Sequence, residues 1–260
     1  MNQTITIENV TRIEGHAKIS LFLDDAGKVD NAHFHVTQVR GFEKFVEGRP
    51  FTELPGITAR TCGICPVSHL MSSSKAGDEI MAVRIPQTAV NLRKAMNLGQ
   101  ILQSHALNFF YLSAPDFLLG MDSDVEKRNL FGIHEEYPEF AREGVRMRKF
   151  GQQVIERLGK KRIHSAWVVP GGVNEPLSVE NRDLIMGDIP EVKEIAVKYL
   201  EWYRKHMPEF SEYIDNFGQF DTLFLGQVGR DGSLEYYDGD LRVIDHTGKI
   251  LVDRMDPTKY

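Results

Sequence analysis

Both cysteines of this 260-residue chain fall in one short segment, Arg60-Thr61-Cys62-Gly63-Ile64-Cys65-Pro66-Val67-Ser68-His69. Placed three residues apart, two thiols can face one another across a turn. Pro66 suits the first turn of a helix, where its missing N–H costs nothing. The segment therefore marks a corner between a loop and a helix, with an arginine just before it and a histidine just after.

The flanks suggest different secondary structures. Upstream, Ala17, Ile19, Leu21 and Leu23 alternate with polar or small residues. Asp24-Asp25-Ala26-Gly27 marks a turn, and Ala32, Phe34 and Val36 resume the alternation. This predicts a hairpin with one buried face. A loop containing Gly48, Pro50, Pro55 and Gly56 leads into the cysteines. Downstream, a helix is expected over 67–82. A second should run from Pro86 to Leu112, with Val90, Leu92, Met96, Leu98, Ile101, Leu102 and Leu107 as its apolar stripe, and stop at Ser113-Ala114-Pro115. A third should cover 138–158, closed by Gly159 as C′. A fourth should run from about Pro190 to Tyr213, after an irregular stretch at 170–176. Thr222–Leu225, Leu234–Tyr237, Leu241–Ile244 and Ile250–Val252 then alternate with Gly/Asp turns, which predicts an antiparallel meander. The fold class is α+β: an antiparallel β region over 1–60, a helical core over 61–215 carrying Cys62 and Cys65, and a small β-meander over 216–260.

The formal charge is -6, with no basic run, which argues against nucleic acid as the main partner. No secretory signal and no apolar stretch of bilayer length is visible, so a cytoplasmic protein without membrane insertion is expected. The absence of a disulfide framework fits a reducing compartment.

A lone Cys-x-x-Cys admits several readings. The cysteines could be structural, packed as small hydrophobes. Zinc or an iron–sulfur cluster normally takes four ligands, and no second pair exists in the sequence. A thiol oxidoreductase would use the helix N-terminus and Arg60 to depress the first thiol's pKa, but its usual βαβ context is missing here. A half-site for a soft metal, completed from elsewhere, remains. Taken singly, Glu14 and His16 read as loop residues, Glu43 as a solvated charge, His69 as a packed helix histidine, and His105 as a core residue or one that supports a ligand from outside. Gly171-Gly172 reads as a plain turn, since no GxGxxG or Walker pattern appears.

Together and in order, these segments resemble the large subunit of nickel–iron hydrogenases. Arg60-x-Cys62-Gly63-x-Cys65-x-x-x-His69 resembles the family's N-terminal metal motif, and Thr11-Arg12-Ile13-Glu14-Gly15-His16 its upstream signature. Arg40-Gly41-Phe42-Glu43 with Glu47-Gly48-Arg49, and Arg162-Ile163-His164 before Pro170-Gly171-Gly172-Val173, are further marks. Gln103-Ser104-His105-Ala106-Leu107-x-Phe109-Phe110, then Ser113-Ala114-Pro115-Asp116, suggests the cytoplasmic, bidirectional, NAD-linked type. The resemblance runs from about residue 4 to 256.

The resemblance implies that Cys62 is a terminal nickel ligand and that Cys65 bridges nickel and iron, with carbon monoxide and cyanide on the iron. It implies that Glu14 passes protons to and from a nickel-bound cysteine, that Glu43 binds a structural magnesium, and that Arg60 and His69 support the ligands from outside. The activity implied is reversible, heterolytic splitting of H2. Electrons would pass through an iron–sulfur small subunit to flavin (FMN) and NAD in diaphorase subunits, with maturation chaperones as further partners. The family carries a second Cys-x-x-Cys-x-x-His element near its mature C-terminus. This chain has no third cysteine, and Thr258 follows Asp256-Pro257 where a cysteine is required. A fragment or truncated reading frame, holding two of four thiolates, is therefore expected. Two competing functions stay open: a non-catalytic relative similar to the quinone-site subunit of respiratory complex I, and a thiol–disulfide oxidoreductase.

Overall fold

The computed structural model describes residues 3–38 and 41–259. Arg40, named above in a family mark, lies outside them. The chain forms two compact units, Met1–Lys193 and Glu194–Tyr260. Its class is α+β, with strands toward both ends and helices between.

The first unit opens on an antiparallel sheet of β1 (Thr4–Glu8), β2 (Ala17–Leu23) and β3 (Val29–Val36), in that order. The expected hairpin is β2–β3, in a register that pairs Ile19 with Phe34 and Ala17 with Val36. β1 adds Ile5 opposite Leu21 and Ile7 opposite Ile19. Because side chains alternate along a strand, these apolar residues share one face. That face is only partly covered, contrary to the sequence expectation of a buried face: Ala17 is buried and Ile19 and Leu21 are half-buried, but Phe34 is 61% and Val36 71% exposed. Alternation assigns side chains to a face, but whether a neighbour covers that face is a separate matter.

The stretch before the cysteines is a run of short helical turns rather than an open loop: α1 (Phe42–Phe45), a 3-10 turn at Phe51–Glu53, α2 (Leu54–Thr58) and a 3-10 turn at Ala59–Thr61. Pro50 caps one turn and Pro55 opens the next. These prolines mark helix starts, the position where proline is tolerated.

Two long helices follow, α3 (Pro66–Ile80) and α4 (Gln87–Leu107). α4 runs on through a π-helical turn, Asn108–Ser113, into α5 (Ala114–Leu119). Ser113-Ala114-Pro115 thus starts a helix instead of ending one. α6 (Leu130–Glu136) leads to α7 (Pro138–Gly159). Gly159 lies inside α7, and the left-handed cap is Lys160 at φ 59. Gly159 is needed for space, since a Cβ there would collide with Ser165 Oγ.

The buried face of α4 is not the predicted leucine stripe. Met96 is buried, but Leu98 is 56% exposed. The covered positions are mostly small or polar: Ala89, Arg93, Asn97, Gly99, Gln100, Gln103 and Ala106. The cause is the crossing with α7. A Cβ on Gly151 would stand 2.5 Å from the Gly99 carbonyl oxygen, and one on Gly99 would stand 2.9 Å from Val154 Cγ1. Two glycines let the backbones meet, and only small or flat side chains fit beside them. Gly151→Ala should therefore cost about 1–3 kcal/mol, because the obstructing atom is backbone and cannot rotate away. A denaturation midpoint equal to wild type would show that the helices can part cheaply.

Behind this crossing lies a buried ionic staple. Arg93 on α4 is 0% exposed and donates to both carboxylate oxygens of Asp78 on α3, at 2.6 and 3.3 Å. It also donates to the carbonyls of Val169, at 2.7 Å, and Gly172, at 2.9 and 3.0 Å. Those carbonyls belong to a two-strand hairpin, β4 (Val168–Val169) and β5 (Gly172–Val173). The Gly171 amide returns a bond to Asp78 at 2.7 Å.

α8 (Val179–His206) carries Pro190 in its interior rather than at its start. The start lies at Ser178, whose hydroxyl accepts the Asn181 amide at 3.2 Å, as an N-cap serine does. The second unit continues from α8 through a 3-10 turn at Met207–Phe210 and α9 (Ser211–Asn216). It ends in the expected antiparallel meander of β6 (Phe224–Val228), β7 (Asp240–Ile244) and β8 (Ile250–Met255). Leu234–Tyr237 is not a strand, and contributes a single bridge from Leu234 to Val228. No described helix is long and apolar enough to cross a membrane.

Candidate metal centre

In the first unit a cleft of about 440 Å³ opens between the β1–β2 loop, α1 and the start of α3. Glu14, His16, Glu43, Cys62, Cys65 and His69 all line it. Five candidates quoted from distant parts of the sequence (Glu14, Glu43, Cys62, Cys65 and His69) thus meet at one place. Arg60 does not line it: its side chain is exposed and makes no hydrogen bond or ion pair among the described residues. His105 is exposed on α4.

The cysteine corner is built locally. Cys62 ends the 3-10 turn in an extended conformation, and Cys65 caps α3. The Cys65 amide donates to Cys62 Sγ at 3.0 Å. An N–H aimed at sulfur favours the thiolate and orients it, as groups outside a metal's ligand shell commonly do. Cys62 is buried and Cys65 half-buried. Glu14 Oε1 lies 3.9 Å from Cys62 Sγ. Burial first, then the hydrogen bond to Cys62 and the nearby charges of Cys62 and Glu14, push the Cys65 thiol up to about 12.

One supporting residue has no signature in the sequence motifs. No side chain of the motif caps α3. Buried Gln100 on α4 does so from 33 residues away, accepting the Val67 amide at 2.7 Å and the Ser68 amide at 3.1 Å. Its own amide donates to Ser68 Oγ. Orphan donors at a helix start need a partner, and here that partner also fixes the corner that aims Cys65. A missing cap residue at Cys65 was the only sequence signal for it.

The loop carrying Glu14 is held just as firmly. Arg12, at φ 55, donates to both carboxylate oxygens of Asp116 on α5, at 2.9 and 2.8 Å, and to the Leu112 carbonyl at 2.9 Å. Two of the quoted motifs, Thr11–His16 and Ser113–Asp116, are thereby joined. In Arg162-Ile163-His164, His164 has φ 53 and a buried Nδ1 without a partner among the described residues.

The donors suit a soft transition metal held through thiolates. Among the described residues, no set of three or more His, Cys, Asp or Glu side chains converges on a metal position. Cys62 and Cys65 bring two sulfur donors to the cleft, and Glu43 brings one carboxylate.

Comparison with known proteins gives the family. A family model described as HoxL-like matches residues 4–39, and one described as nickel-dependent hydrogenase matches residues 40–125. The chain is 40% identical over 256 residues to a vhu subunit of the F420-non-reducing hydrogenase of Methanocaldococcus jannaschii, covering 98% of this chain and 61% of the relative. It is 38% identical over 272 residues to the NAD-reducing hydrogenase HoxS subunit beta of Cupriavidus necator, covering 100% of this chain and 56% of that relative. A crystal structure of an NAD+-reducing [NiFe]-hydrogenase in the H2-reduced state superposes with a TM-score of 0.96 at 42% identity, covering 99% of this chain and 57% of that one. The reduced Ni-Fe-Se hydrogenase of D. vulgaris Hildenborough superposes at 0.77 with 27% identity, covering 100% of this chain and 55% of its own. The chain thus spans somewhat more than half the length of these relatives.

Proposed function

This chain belongs to the nickel-dependent hydrogenase large-subunit family, and we propose that it supplies the amino-terminal half of the nickel–iron site of an enzyme that reversibly oxidises H2. What carries this reading is the meeting of Cys62, Cys65 and Glu14 at one cleft, with Glu14 Oε1 3.9 Å from Cys62 Sγ. The nickel–iron group, when bound with carbon monoxide and cyanide on its iron, supplies the heterolytic splitting of H2. Cys62 and Cys65 would hold it as thiolates. Glu14 takes the proton from the cysteine side and hands it outward, as a carboxylate within hydrogen-bond reach of a thiol can. Glu43 would give an oxygen to magnesium, which prefers hard carboxylate ligands. His69, which lines the cleft, would support the ligands from α3.

The electron acceptor is proposed to be NAD, reached through a small iron–sulfur protein partner and flavin-bearing diaphorase subunits, in a cytoplasmic complex assembled with maturation chaperones. The high structural similarity to an NAD+-reducing enzyme supports that acceptor. The similarity to F420-non-reducing relatives supports leaving the choice of acceptor to the partners.

Glu14→Gln tests the proton role. In the assembled enzyme it should lower H2 oxidation by roughly 100-fold or more, the scale of a lost acid–base group, while nickel content stays at wild type. Full turnover in this variant would remove Glu14 from the route. Insulin reduction that depends on Cys62, in a protein without nickel, would favour the thiol–disulfide reading instead.

A further inference from the structure

Arg12 lies two residues before Glu14 and is bound to a different part of the fold. Its guanidinium spans both oxygens of Asp116, at 2.9 and 2.8 Å, and reaches the Leu112 carbonyl at 2.9 Å. A bidentate arginine–carboxylate pair fixes direction as well as distance, which a lysine cannot reproduce. Both side chains are mostly shielded, at 29% and 30% exposure. Asp116 is steadied from behind by Arg128, at 3.6 Å. The two carbonyl and carboxylate acceptors flank the end of the π-helical turn Asn108–Ser113, a conformation that is rare and common at functional sites. Arg12 itself holds a left-handed backbone, with φ 55, and Gly15 follows with φ 80. A non-glycine residue in that region persists only where its surroundings enforce it. Glu14 sits between these two turned positions, so anchoring Arg12 fixes where the Glu14 carboxylate can reach.

We propose that the Arg12–Asp116 pair, with the Leu112 carbonyl, is a clamp that positions Glu14 against Cys62, making Arg12 and Asp116 positioning residues for proton transfer. This rests on the hydrogenase reading above. Arg12→Lys keeps the charge and loses the fork. Asp116→Asn keeps the shape and loses the ion pair.

The test uses the assembled enzyme and two readouts. In Arg12→Lys and in Asp116→Asn, kcat for H2 oxidation should fall by roughly 10–100-fold, the cost of a misplaced reacting group. KM for H2 and nickel content should be unchanged. Added to Glu14→Gln, Arg12→Lys should cost nothing more, because it acts through Glu14. Amide hydrogen exchange should speed up in residues 9–16 and stay at wild type in α3, α4 and α7. Multiplying losses in the double variant, or faster exchange throughout the helices, would make the pair a plain structural tie and overturn the proposal. So would wild-type kcat together with wild-type loop exchange. The hydrogen-exchange readout needs no turnover. If Glu14→Gln is fully active, the proton role fails, while faster exchange confined to residues 9–16 still shows the clamp holding its loop.

Discussion

Cys65→Ser should empty the assembled enzyme of nickel. A serine hydroxyl is a hard, weakly acidic donor, whereas the site is built for soft thiolate sulfur. Losing an outer partner of a metal ligand costs roughly 10–100-fold in affinity, and losing a ligand itself should exceed that. Cys62→Ser should do the same and also remove the sulfur that accepts the Cys65 amide at 3.0 Å. Nickel per polypeptide, measured after desalting, is the readout. Nickel unchanged in either variant would remove that cysteine from the ligand set. The binding should also depend on pH, with a sign set by Cys65. Its thiol is pushed up to about 12, by burial first and then by Cys62 and Glu14, so it keeps its proton at neutral pH in the metal-free chain. Metal must displace that proton. Nickel affinity should therefore rise with pH, by roughly tenfold per unit for one proton released. An affinity flat from pH 6 to 9 would show that the thiol is already ionised.

Arg93→Met should be the most destabilising single change outside the metal centre. It leaves Asp78, 9% exposed, as a buried carboxylate without its guanidinium, and it strips donors from the Val169 and Gly172 carbonyls. Breaking one side of a buried pair costs about 3–5 kcal/mol, a large share of the roughly 5–15 kcal/mol that holds a typical domain. Arg93→Met combined with Asp78→Leu should recover part of the loss, since the unpaired charge is gone while the carbonyls stay unserved. Chemical denaturation midpoints decide this. A loss under about 1 kcal/mol for Arg93→Met alone would mean that water or a neighbour replaces the arginine. The damage would reach the site, because α3 carries both the Asp78 anchor and the Cys65–His69 end.

Much of this protein is legible in its residues alone. The cysteine corner, the helix start at Pro66, the β2–β3 hairpin and the closing meander all come from interactions within a few residues: a proline at a first turn, a period of two, a Gly/Asp turn. Such signals are short-range and survive in the sequence. The helix limits around Gly159, Pro190 and Ser113–Pro115 differ from the sequence expectation because glycine and proline have more than one use. At Gly159 the backbone needs room beside Ser165, and at Pro190 a long helix accommodates the break.

What packing decided is of another kind. The leucines of α4 have the right period, yet the crossing at Gly99 and Gly151 turns a small and polar face inward, since close backbone approach outweighs side-chain hydropathy there. Gln100 capping α3, Arg93 gripping Asp78, and Arg12 tying the Glu14 loop to Asp116 each join residues 15 to 104 positions apart. No local pattern encodes such pairs. The residue order chose the chemistry available to the cleft, and the three-dimensional fold chose which groups stand close enough to use it.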